Sequence, residues 1–349
     1  MVQSSRAAAS GFLPILKERY IDMKRQQIQQ AIKTAIAANE PLMIYGSPGL
    51  GKSDTVKQVA KELDMDIFDI RASLLDPVDL RGLPVPNIES KEVNWLTPEF
   101  WPRENKPSIV FFDEITNAAP SVQTGLLQIL LDRQCGSYKM PSEVRMLAAG
   151  NLSTDKAGSS NLITSLKSRF LNVTFEADLV DWIEWALEND IDESVRQYVR
   201  FRPGNLHAFD PRSKENAFPC PRSWEKLSNV RKVKVPSNIE YELYSGIVGQ
   251  AAATEYVGFL RTYREMPDIA EILMNPSSGP IPEKAQVKYA VCGSLAMRAN
   301  QEHAESVLTY AQRLPKEFEA MLVSDSLKLH GKEFSDNSAF SKWASKNQI

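Results

Sequence analysis

The sequence contains few of the residues on which disulfide-rich and metal-binding proteins depend. Its 349 residues include three cysteines and three histidines. The cysteines are Cys135, Cys220 and Cys292, and the histidines are His207, His303 and His330. No two cysteines form a C-x-x-C pair and no two histidines stand at metal-ligand spacing. The pattern therefore indicates neither a disulfide framework nor a zinc site.

Long apolar runs and an excess of one charge are also missing. No segment approaches the roughly 18 consecutive apolar residues of a membrane-spanning helix. The first residues, MVQSSRAAASGFLP, lack the long apolar core of a secretory signal. Lys plus Arg number 41 and Asp plus Glu number 44, a net charge of −3 that disfavours a nucleic-acid coat but leaves a local basic channel open. We therefore expect a cytoplasmic protein that does not cross a membrane.

The distribution of apolar residues divides the chain into two parts. At roughly 150 residues per domain, this length predicts about two domains. Helical and strand patterns alternate in the first half, with predicted strands at 42–45, 67–70, 109–112, 146–149 and 173–175. Such alternation predicts a parallel sheet covered by helices on both faces. Beyond residue 176 the segments 179–187, 238–263, 285–311 and 315–331 have helical spacing, which predicts a mostly helical second domain.

The strongest local signal is a glycine-rich segment between a predicted strand and a predicted helix. It reads G-x-x-x-x-G-K-S and comprises Gly46, Ser47, Pro48, Gly49, Leu50, Gly51, Lys52 and Ser53. Glycines allow successive backbone N–H groups to surround a phosphate, and the following helix directs its positive end at the anion. In this pattern Lys52 reaches the β- and γ-phosphates and the Ser53 hydroxyl binds Mg²⁺. The segment predicts a nucleoside triphosphate site.

Two carboxylates, Asp113 and Glu114, follow the apolar run at 109–112. Side chains at the carboxyl end of a parallel strand reach the crevice in which ligands bind. We expect Asp113 to hold the Mg²⁺ shell and Glu114 to act as the general base toward a water that attacks the γ-phosphate. The alternative is that the acidic pair only begins a loop or caps a helix.

Three further polar residues have two interpretations each. Asn151 follows the predicted strand at 146–149 and either positions the attacking water or starts a loop. Arg169 is either an arginine finger that reaches a neighbouring subunit or a cation on the last turn of a helix. Arg222 follows Pro221 in the first turn of a helix, where it either contacts phosphate or is a solvated surface residue.

Together these residues resemble the AAA+ ATPases, and within them the MoxR-like group, over residues 20 to 230. The similarity is clearest at 46–53, 74–82, 113–127 and 151–170, and at the Pro-Arg-Ser of 221–223. The resemblance implies a P-loop α/β core with a five-stranded parallel sheet over residues 20–175, a helical lid over 176–349 and an extension at 1–19. It also implies that Asn151 is sensor 1, Arg169 the finger acting in trans and Arg222 sensor 2.

The resemblance further implies an activity and partners. Members of the group hydrolyse ATP with Mg²⁺ as rings, usually hexamers, and remodel or activate protein partners in a chaperone-like manner. Many work with a protein that carries a von Willebrand factor A-like domain. A nucleic-acid motor and a nucleotide-gated binding module with poor turnover remain alternatives, because both would share the same phosphate loop.

Three other segments also receive an interpretation. The segment 71–90, with Arg71, Asp76, Asp79 and Arg81, is expected to be a loop that contacts a threaded or docked substrate. The aromatic and proline-rich segment 94–102 either packs over the sheet, which we favour, or faces a ring pore. The two tryptophans of 182–185 are expected to pack in the core rather than to form a binding platform.

Overall fold

A computed structural model describes residues 22–89, 91–155, 162–233, 235–263 and 265–347 of the 349-residue chain. The extension expected at 1–19 and part of the 151–170 stretch lie outside these residues. In the first half the elements are β1 (Asp22–Met23), α1 (Arg25–Ala38), β2 (Leu42–Tyr45), α2 (Lys52–Glu62), β3 (Asp66–Arg71), α3 (Pro77–Arg81), β4 (Leu83–Asn87), β5 (Glu92–Leu96), β6 (Ser108–Asp113), α4 (Pro120–Asp132), β7 (Gln134–Cys135), β8 (Tyr138–Lys139), β9 (Val144–Gly150), α5 (Thr164–Lys167) and β10 (Leu171–Phe175).

The main sheet is parallel and has six strands within the described residues, in the order β1-β10-β2-β9-β6-β3. The five predicted strands are confirmed. The sixth, β1, corrects the expected number: Asp22 and Met23 pair with Thr174 and Phe175 of β10. Two residues are too few for a period of two to appear in the sequence.

The central strand β6 shows why the core strands are continuous apolar runs. Ile109 and Phe111 pack on one face against α1 and α2, whereas Val110 and Phe112 pack on the other face against α4. Successive side chains of a strand point to opposite faces, so a strand covered on both sides must be apolar throughout. Full burial of one such side chain contributes about 1.5–3 kcal/mol. This packing fixes the carboxyl end of β6, where Asp113 lies.

The second half is helical. After Phe175 the described residues form α6 (Leu179–Glu188), α7 (Glu193–Phe201), α8 (Pro221–Lys232), α9 (Glu240–Val248), α10 (Gln250–Tyr263), α11 (Ile269–Met274), α12 (Ala285–Ala296), α13 (Ala304–Ala311), α14 (Lys316–His330), α15 (Lys332–Ser335) and α16 (Ser338–Asn347). Among the described residues, none of the helices combines the length and the apolar character needed to cross a bilayer.

Two predicted long helices are each divided in the structure. The helix expected over 238–263 ends before Gly249, whose φ of +83° belongs to the left-handed region. A Cβ at this position would lie 2.7 Å from Glu215 Oε2 and 2.8 Å from Ala217 O. The helix expected over 285–311 stops at Ala296, and a new helix starts after Asn300, whose side chain accepts a hydrogen bond from His303 N at 3.1 Å. Apolar spacing alone reveals neither break.

The helical part contains two apolar clusters joined through α7. A buried ion pair between Arg200 of α7 and Asp325 of α14 connects them. Gly293 of α12 faces α7 so closely that a Cβ there would overlap the Gln197 amide. Trp182 is buried in the cluster that contains Val195 and Tyr198 of α7, and Trp185 packs against the same cluster. The expected packing of the two tryptophans is confirmed.

The segment expected as a loop at 71–90 is instead the helix α3 followed by an antiparallel hairpin of β4 and β5. The hairpin exposes apolar side chains on both faces, including Ile88 at its tip, which is 89% exposed. Pro84 and Pro86 alternate along β4 with residues that have an N–H group to donate to β5. The backbone nitrogens of the two prolines therefore face the edge of β4 that is turned away from β5. Trp101 is buried and donates to Leu80 O at 3.0 Å, so the predicted packing of 94–102 is confirmed at this residue.

Candidate functional site

The candidate site lies at the carboxyl ends of three neighbouring strands. The glycine-rich loop follows β2, Asp113 ends β6 and Glu114 comes directly after it, and Asn151 follows β9. Direct hydrogen bonds join Lys52 to Asn151 and Ser53 to Asp113. The structure therefore brings together four of the residues selected from the sequence, because adjacent parallel strands end at the same edge of a sheet.

The loop between β2 and α2 adopts a conformation that depends on glycine. Gly49 and Gly51 have φ values of +82° and +86° in the left-handed region. Gly51 immediately precedes the first residue of α2, Lys52. At Gly46 a Cβ would lie 2.9 Å from Phe175 O. Side chains at these positions would strain the loop or push it away from the sheet.

The Lys52 side chain is buried and makes three hydrogen bonds. Its Nζ donates to Gly46 O at 2.6 Å, Ser47 O at 3.1 Å and Asn151 Oδ1 at 3.2 Å. Burial lowers the pKa of Lys52 to about 8, and the carboxylates of Asp113 and Asp155 oppose this shift. The ammonium is therefore mainly charged at pH 7, and it is partly dehydrated. Both properties strengthen its attraction for a phosphate oxygen.

Ser53 and Asp113 form a pair of oxygen donors. The Ser53 hydroxyl donates to Asp113 Oδ2 at 2.6 Å. Hydroxyl and carboxylate oxygens suit Mg²⁺, which uses few protein ligands and completes its shell with phosphate and water. In the part of the chain that the structure describes, no group of three or more His, Cys, Asp or Glu side chains is arranged to hold a metal ion. A Mg²⁺ site with Ser53 and Asp113 as its protein ligands, in which phosphate and water supply the others, is consistent with this finding.

Glu114 has a constrained backbone and a partner that the sequence did not suggest. Its φ of +55° lies in the left-handed region, which non-glycine residues seldom adopt. Ser73 Oγ donates to Glu114 Oε2 at 2.6 Å. Glu114 precedes a 3₁₀ turn over Ile115–Asn117, but its side chain makes no capping hydrogen bond there. The alternative that this carboxylate caps a helix is therefore wrong.

Asn151 points into the site. Besides accepting from Lys52, it is held by its backbone N–H, which donates to Thr116 Oγ1 at 3.1 Å. The preceding Gly150 lies so close to Thr116 that a Cβ would approach Thr116 Oγ1 to 2.7 Å. The Asn151 amide is thus directed toward the phosphate loop, which does not fit a residue that only starts a loop.

The two arginines occupy different surroundings. Arg222 is the second residue of α8, and its backbone N–H donates to Gly49 O at 3.2 Å, so its exposed side chain lies beside the phosphate loop. Arg169 is exposed and lies beyond α5, which ends at Lys167, so Arg169 is not on the last turn of that helix. Within the described residues its guanidinium makes no ion pair, and the structure does not join it to Lys52 or Asp113.

Three residues near the loop carried no functional signal in the sequence analysis. His207 Nε2 lies 3.3 Å from Pro48 O, and burial lowers the pKa of this imidazole. Cys220 packs so closely on Gly49 that a Cβ there would overlap its sulfur. Asp155 is buried, and its Oδ2 accepts no hydrogen bond from the part of the chain described. His207 and Cys220 belong to the second half of the chain, and their positions depend on its folding over the loop.

A cavity of about 690 Å³ adjoins the phosphate loop. Gly49, Gly51 and Arg222 line one side, and Trp182 and Trp185 line another. The volume lies within the range of small-molecule and cofactor sites. A ligand whose phosphates lie on the loop has room for an aromatic base and a sugar in this cavity.

Comparisons with known proteins give one family match and several partial likenesses. A family model described as the MoxR domain in the MoxR-vWA-beta-propeller ternary systems matches residues 10–184, half of the chain. Midasin from Giardia intestinalis is 26% identical over 179 residues, which cover 48% of this chain and 4% of that protein. The replication factor C large subunit of Methanoregula boonei is 35% identical over 48 residues, covering 14% and 10%. The chain thus spans only a small fraction of the length of these curated relatives.

The chain also has partial likenesses to solved structures. A mutant of RuvB from Thermotoga maritima is 15% identical, with a TM-score of 0.40 over 78% of this chain and 82% of that one. NtrX from Brucella abortus in complex with ADP is 13% identical, with a TM-score of 0.41 over 93% and 68%. A putative ATPase from Cytophaga hutchinsonii is 15% identical, with a TM-score of 0.34 over 88% and 82%.

Proposed function

Because the chain belongs to the MoxR family of AAA+ ATPases, specifically to the MoxR domains of the MoxR-vWA-beta-propeller ternary systems, we propose that it hydrolyses ATP with Mg²⁺. In this proposal it acts as a ring, expected to be a hexamer, and remodels or activates a protein partner in a chaperone-like manner. The partner that we propose is a protein with a von Willebrand factor A-like domain.

The hydrogen-bonded group at the strand ends carries this proposal. Lys52 and Ser53 supply a buried cation and a hydroxyl at the start of α2, and Asp113 accepts from that hydroxyl at 2.6 Å. A phosphate loop alone would also suit a protein that only stores nucleotide. The exposed Glu114 carboxylate beside Asp113 provides a base that nucleotide binding does not require.

Each residue has a distinct role in the proposed reaction. Lys52 neutralises charge on the β- and γ-phosphates, and the backbone N–H groups of the loop surround them. Ser53 and Asp113 would hold Mg²⁺, which neutralises developing phosphate charge when it is bound. Glu114 accepts a proton from the attacking water, and the Asn151 amide orients that water relative to the γ-phosphate.

Assembly into a ring is supported by Arg169. This arginine is exposed, and no ion pair holds its guanidinium in the described part of the chain. An arginine that enters a neighbour's site must be free to leave its own subunit's surface. We propose that Arg169 contacts the γ-phosphate bound to an adjacent subunit, where such a residue accelerates hydrolysis by about 10³–10⁵. Arg222 contacts the phosphates that are bound to its own subunit.

The partner-contacting surface that we propose is the hairpin of β4 and β5. Its exposed apolar residues suit contact with another protein more than contact with nucleic acid, which would favour basic residues. The segment that leads into α3 also contains Ser73, which binds Glu114. Contact at the hairpin can therefore influence the position of the general base.

The central experiment compares the wild type with Glu114→Gln in ATP binding and Mg²⁺-dependent turnover. We expect the variant to retain ATP affinity and to lose at least about 10² in turnover, since general-base catalysis contributes 10²–10⁴. Glu305→Gln on the exposed face of α13 is the matched control and should behave as the wild type. Absence of ATP binding by the wild type at every protein concentration would contradict the proposal. Stimulation of turnover by DNA, but not by a von Willebrand factor A-like protein, would favour the nucleic-acid motor.

A further inference from the structure

His207, in the irregular stretch before α8, and Arg222, in the first turn of α8, hold two consecutive carbonyl groups of the phosphate loop. His207 Nε2 lies 3.3 Å from Pro48 O, and the backbone N–H of Arg222 donates to Gly49 O at 3.2 Å. A carbonyl oxygen only accepts hydrogen bonds, so Nε2 of His207 must carry the hydrogen. Burial lowers the pKa of His207, which favours the neutral imidazole, and the bond to Pro48 O selects the tautomer with the hydrogen on Nε2.

These two bonds determine where the loop's N–H groups point. No peptide bond of the described chain is cis. In a planar trans peptide the carbonyl oxygen and the following N–H point in opposite directions. Holding Pro48 O against His207 therefore turns the N–H of Gly49 away from His207. Holding Gly49 O against Arg222 likewise turns the N–H of Leu50 away from Arg222.

We infer that His207 is a positioning residue for phosphate binding: by donating to Pro48 O, its imidazole orients the Gly49 N–H so that this group can donate to a bound phosphate. This inference rests on the proposed function, because it names phosphate as the ligand. Gly49 has a φ of +82° and no side chain, so its two flanking peptide planes rotate easily unless other groups hold them. An amide already oriented before binding avoids the entropic penalty of ordering it on binding.

His207 is not placed to act on the nucleotide in another way. Its Nε2–H is directed at the loop carbonyl, and the nearby charges that affect its pKa are the carboxylate of Asp155 and the ammonium of Lys52. The effect that we infer reaches the phosphate only through the peptide of Gly49. Loss of the imidazole should therefore weaken binding of the phosphates and leave the chemical step of bound ATP nearly unchanged.

The test measures binding of ADP with Mg²⁺ by calorimetry and competition by inorganic pyrophosphate. His207→Ala and His207→Met remove the donor, the second at nearly constant volume, whereas His207→Gln retains an N–H near the same place. We expect about tenfold weaker binding of both probes in the Ala and Met variants, since one lost hydrogen bond of ~1.4 kcal/mol corresponds to a factor of ten. The Gln variant should stay within about threefold of the wild type, and kcat should change by less than about threefold in all three.

His330 provides a matched control. It is half-buried, and its Nε2 lies 3.0 Å from the backbone carbonyl of Ala296, far along the chain from the loop. His330→Ala removes the same kind of bond and should leave ADP and pyrophosphate affinity unchanged. Thermal unfolding of every variant reports on folding separately.

Three results would overturn the inference. The first is unchanged ADP affinity in a folded His207→Ala or His207→Met variant, and the second is an equal loss in His207→Gln. The third is failure of both donor-free variants to fold while His207→Gln folds, since the bond would then act on stability. Failure of the wild type to bind ADP or ATP would instead refute the proposed function itself, and the inference would fall with it.

Discussion

The hydroxyl of Ser73 donates a hydrogen bond to Oε2 of Glu114 at 2.6 Å. This bond joins the carboxylate at the end of β6 to the segment that leads into the β4–β5 hairpin. The bond engages one oxygen of the carboxylate and fixes the orientation of the Glu114 side chain. The proposed general base is thus restrained from the side on which the hairpin lies.

We expect Ser73→Ala to raise basal ATP turnover, because the Glu114 carboxylate then becomes available to water. If loss of this hydrogen bond lowers the activation free energy by ~1 kcal/mol, kcat rises by about fivefold with little change in KM. Steady-state hydrolysis measures this directly. Ser168→Ala, at an exposed serine whose hydroxyl donates to Ser165 O, is the control. A fall in kcat for Ser73→Ala would show that the bond supports catalysis.

The lowered pKa of Lys52 predicts how ATP affinity depends on pH. Burial lowers this pKa from its ordinary 10.5 to about 8, so the folded protein loses the cation as pH rises through about 8. We expect the Kd for ATP to rise above pH 8, by up to about tenfold per pH unit. Calorimetric titrations between pH 6.5 and 9.5 test this. Lys52→Arg keeps its charge throughout this range and should remove the dependence, whatever its absolute affinity.

The same shift affects stability in the opposite direction. Between pH 8 and 10.5 the unfolded chain binds more protons at Lys52 than the folded chain does. The contribution of this group to the free energy of unfolding therefore rises with pH in that window. Denaturant unfolding of the wild type and of Lys52→Met at pH 8 and pH 10 isolates this contribution. The free energy of unfolding of Lys52→Met, relative to that of the wild type, should be higher at pH 8 than at pH 10. An equal difference at the two pH values would contradict the assignment.

Arg169→Ala should abolish the concentration dependence of ATP hydrolysis. If Arg169 completes a neighbour's site, wild-type specific activity rises with protein concentration as the ring assembles, and the variant loses about 10³-fold in kcat while retaining ATP affinity. Lys167→Ala, at the exposed last residue of α5, is the control for loss of a nearby positive charge. A wild-type specific activity that stays flat across the assembly range would contradict action in trans.

Substitutions in the hairpin should affect the response to a partner but not basal turnover. Ile88 is 89% exposed at the hairpin tip, so Ile88→Asp disturbs little within the chain while disfavouring an apolar contact. We expect stimulation by a von Willebrand factor A-like protein to fall at least about fivefold, the effect of ~1 kcal/mol lost at an interface. Met274→Asp, at a residue 74% exposed on α11, is the control. Equal stimulation of Ile88→Asp and wild type would exclude the hairpin tip.

Gly293→Ala should lower the free energy of unfolding. A methyl group here overlaps the Gln197 amide, and the two helices must separate or Gln197 must move, at a penalty of about 1–3 kcal/mol. At Gly246 of α9 a Cβ meets no atom within 4 Å. Gly246→Ala should therefore stabilise the protein by about 0.5–1 kcal/mol through helix propensity. Urea unfolding distinguishes the opposite signs, and stabilisation by Gly293→Ala would contradict the packing described.

The sequence predicted the strands that are buried on both faces, because those strands are continuous apolar runs. It also indicated which strand ends carry Lys52, Asp113 and Asn151, since parallel strands place their carboxyl ends together. The sequence does not predict the β4–β5 hairpin, because both of its faces are exposed and neither strand alternates between apolar and polar residues. Prolines at 84 and 86 further obscured the strand.

The sequence also does not predict contacts between residues that lie far apart along the chain. Ser73 and Glu114 are separated by 41 residues, and His207 and Pro48 by 159. A serine between apolar residues and a histidine between prolines have no local spacing that suggests a partner. Their roles depend on how the helical part and the α3 segment fold over the sheet, which only the assembled structure reveals.

The positions of Pro84 and Pro86 restrict how another polypeptide can attach to the hairpin. A strand that aligned with the outer edge of β4 would find no N–H at either proline, so main-chain pairing there is blocked. The free edge of β5 has no such obstacle. A partner segment that extends this ribbon must therefore lie beside β5, with its direction and register set by the residues 92–96. Uncontrolled edge-to-edge association of two chains through β4 is suppressed.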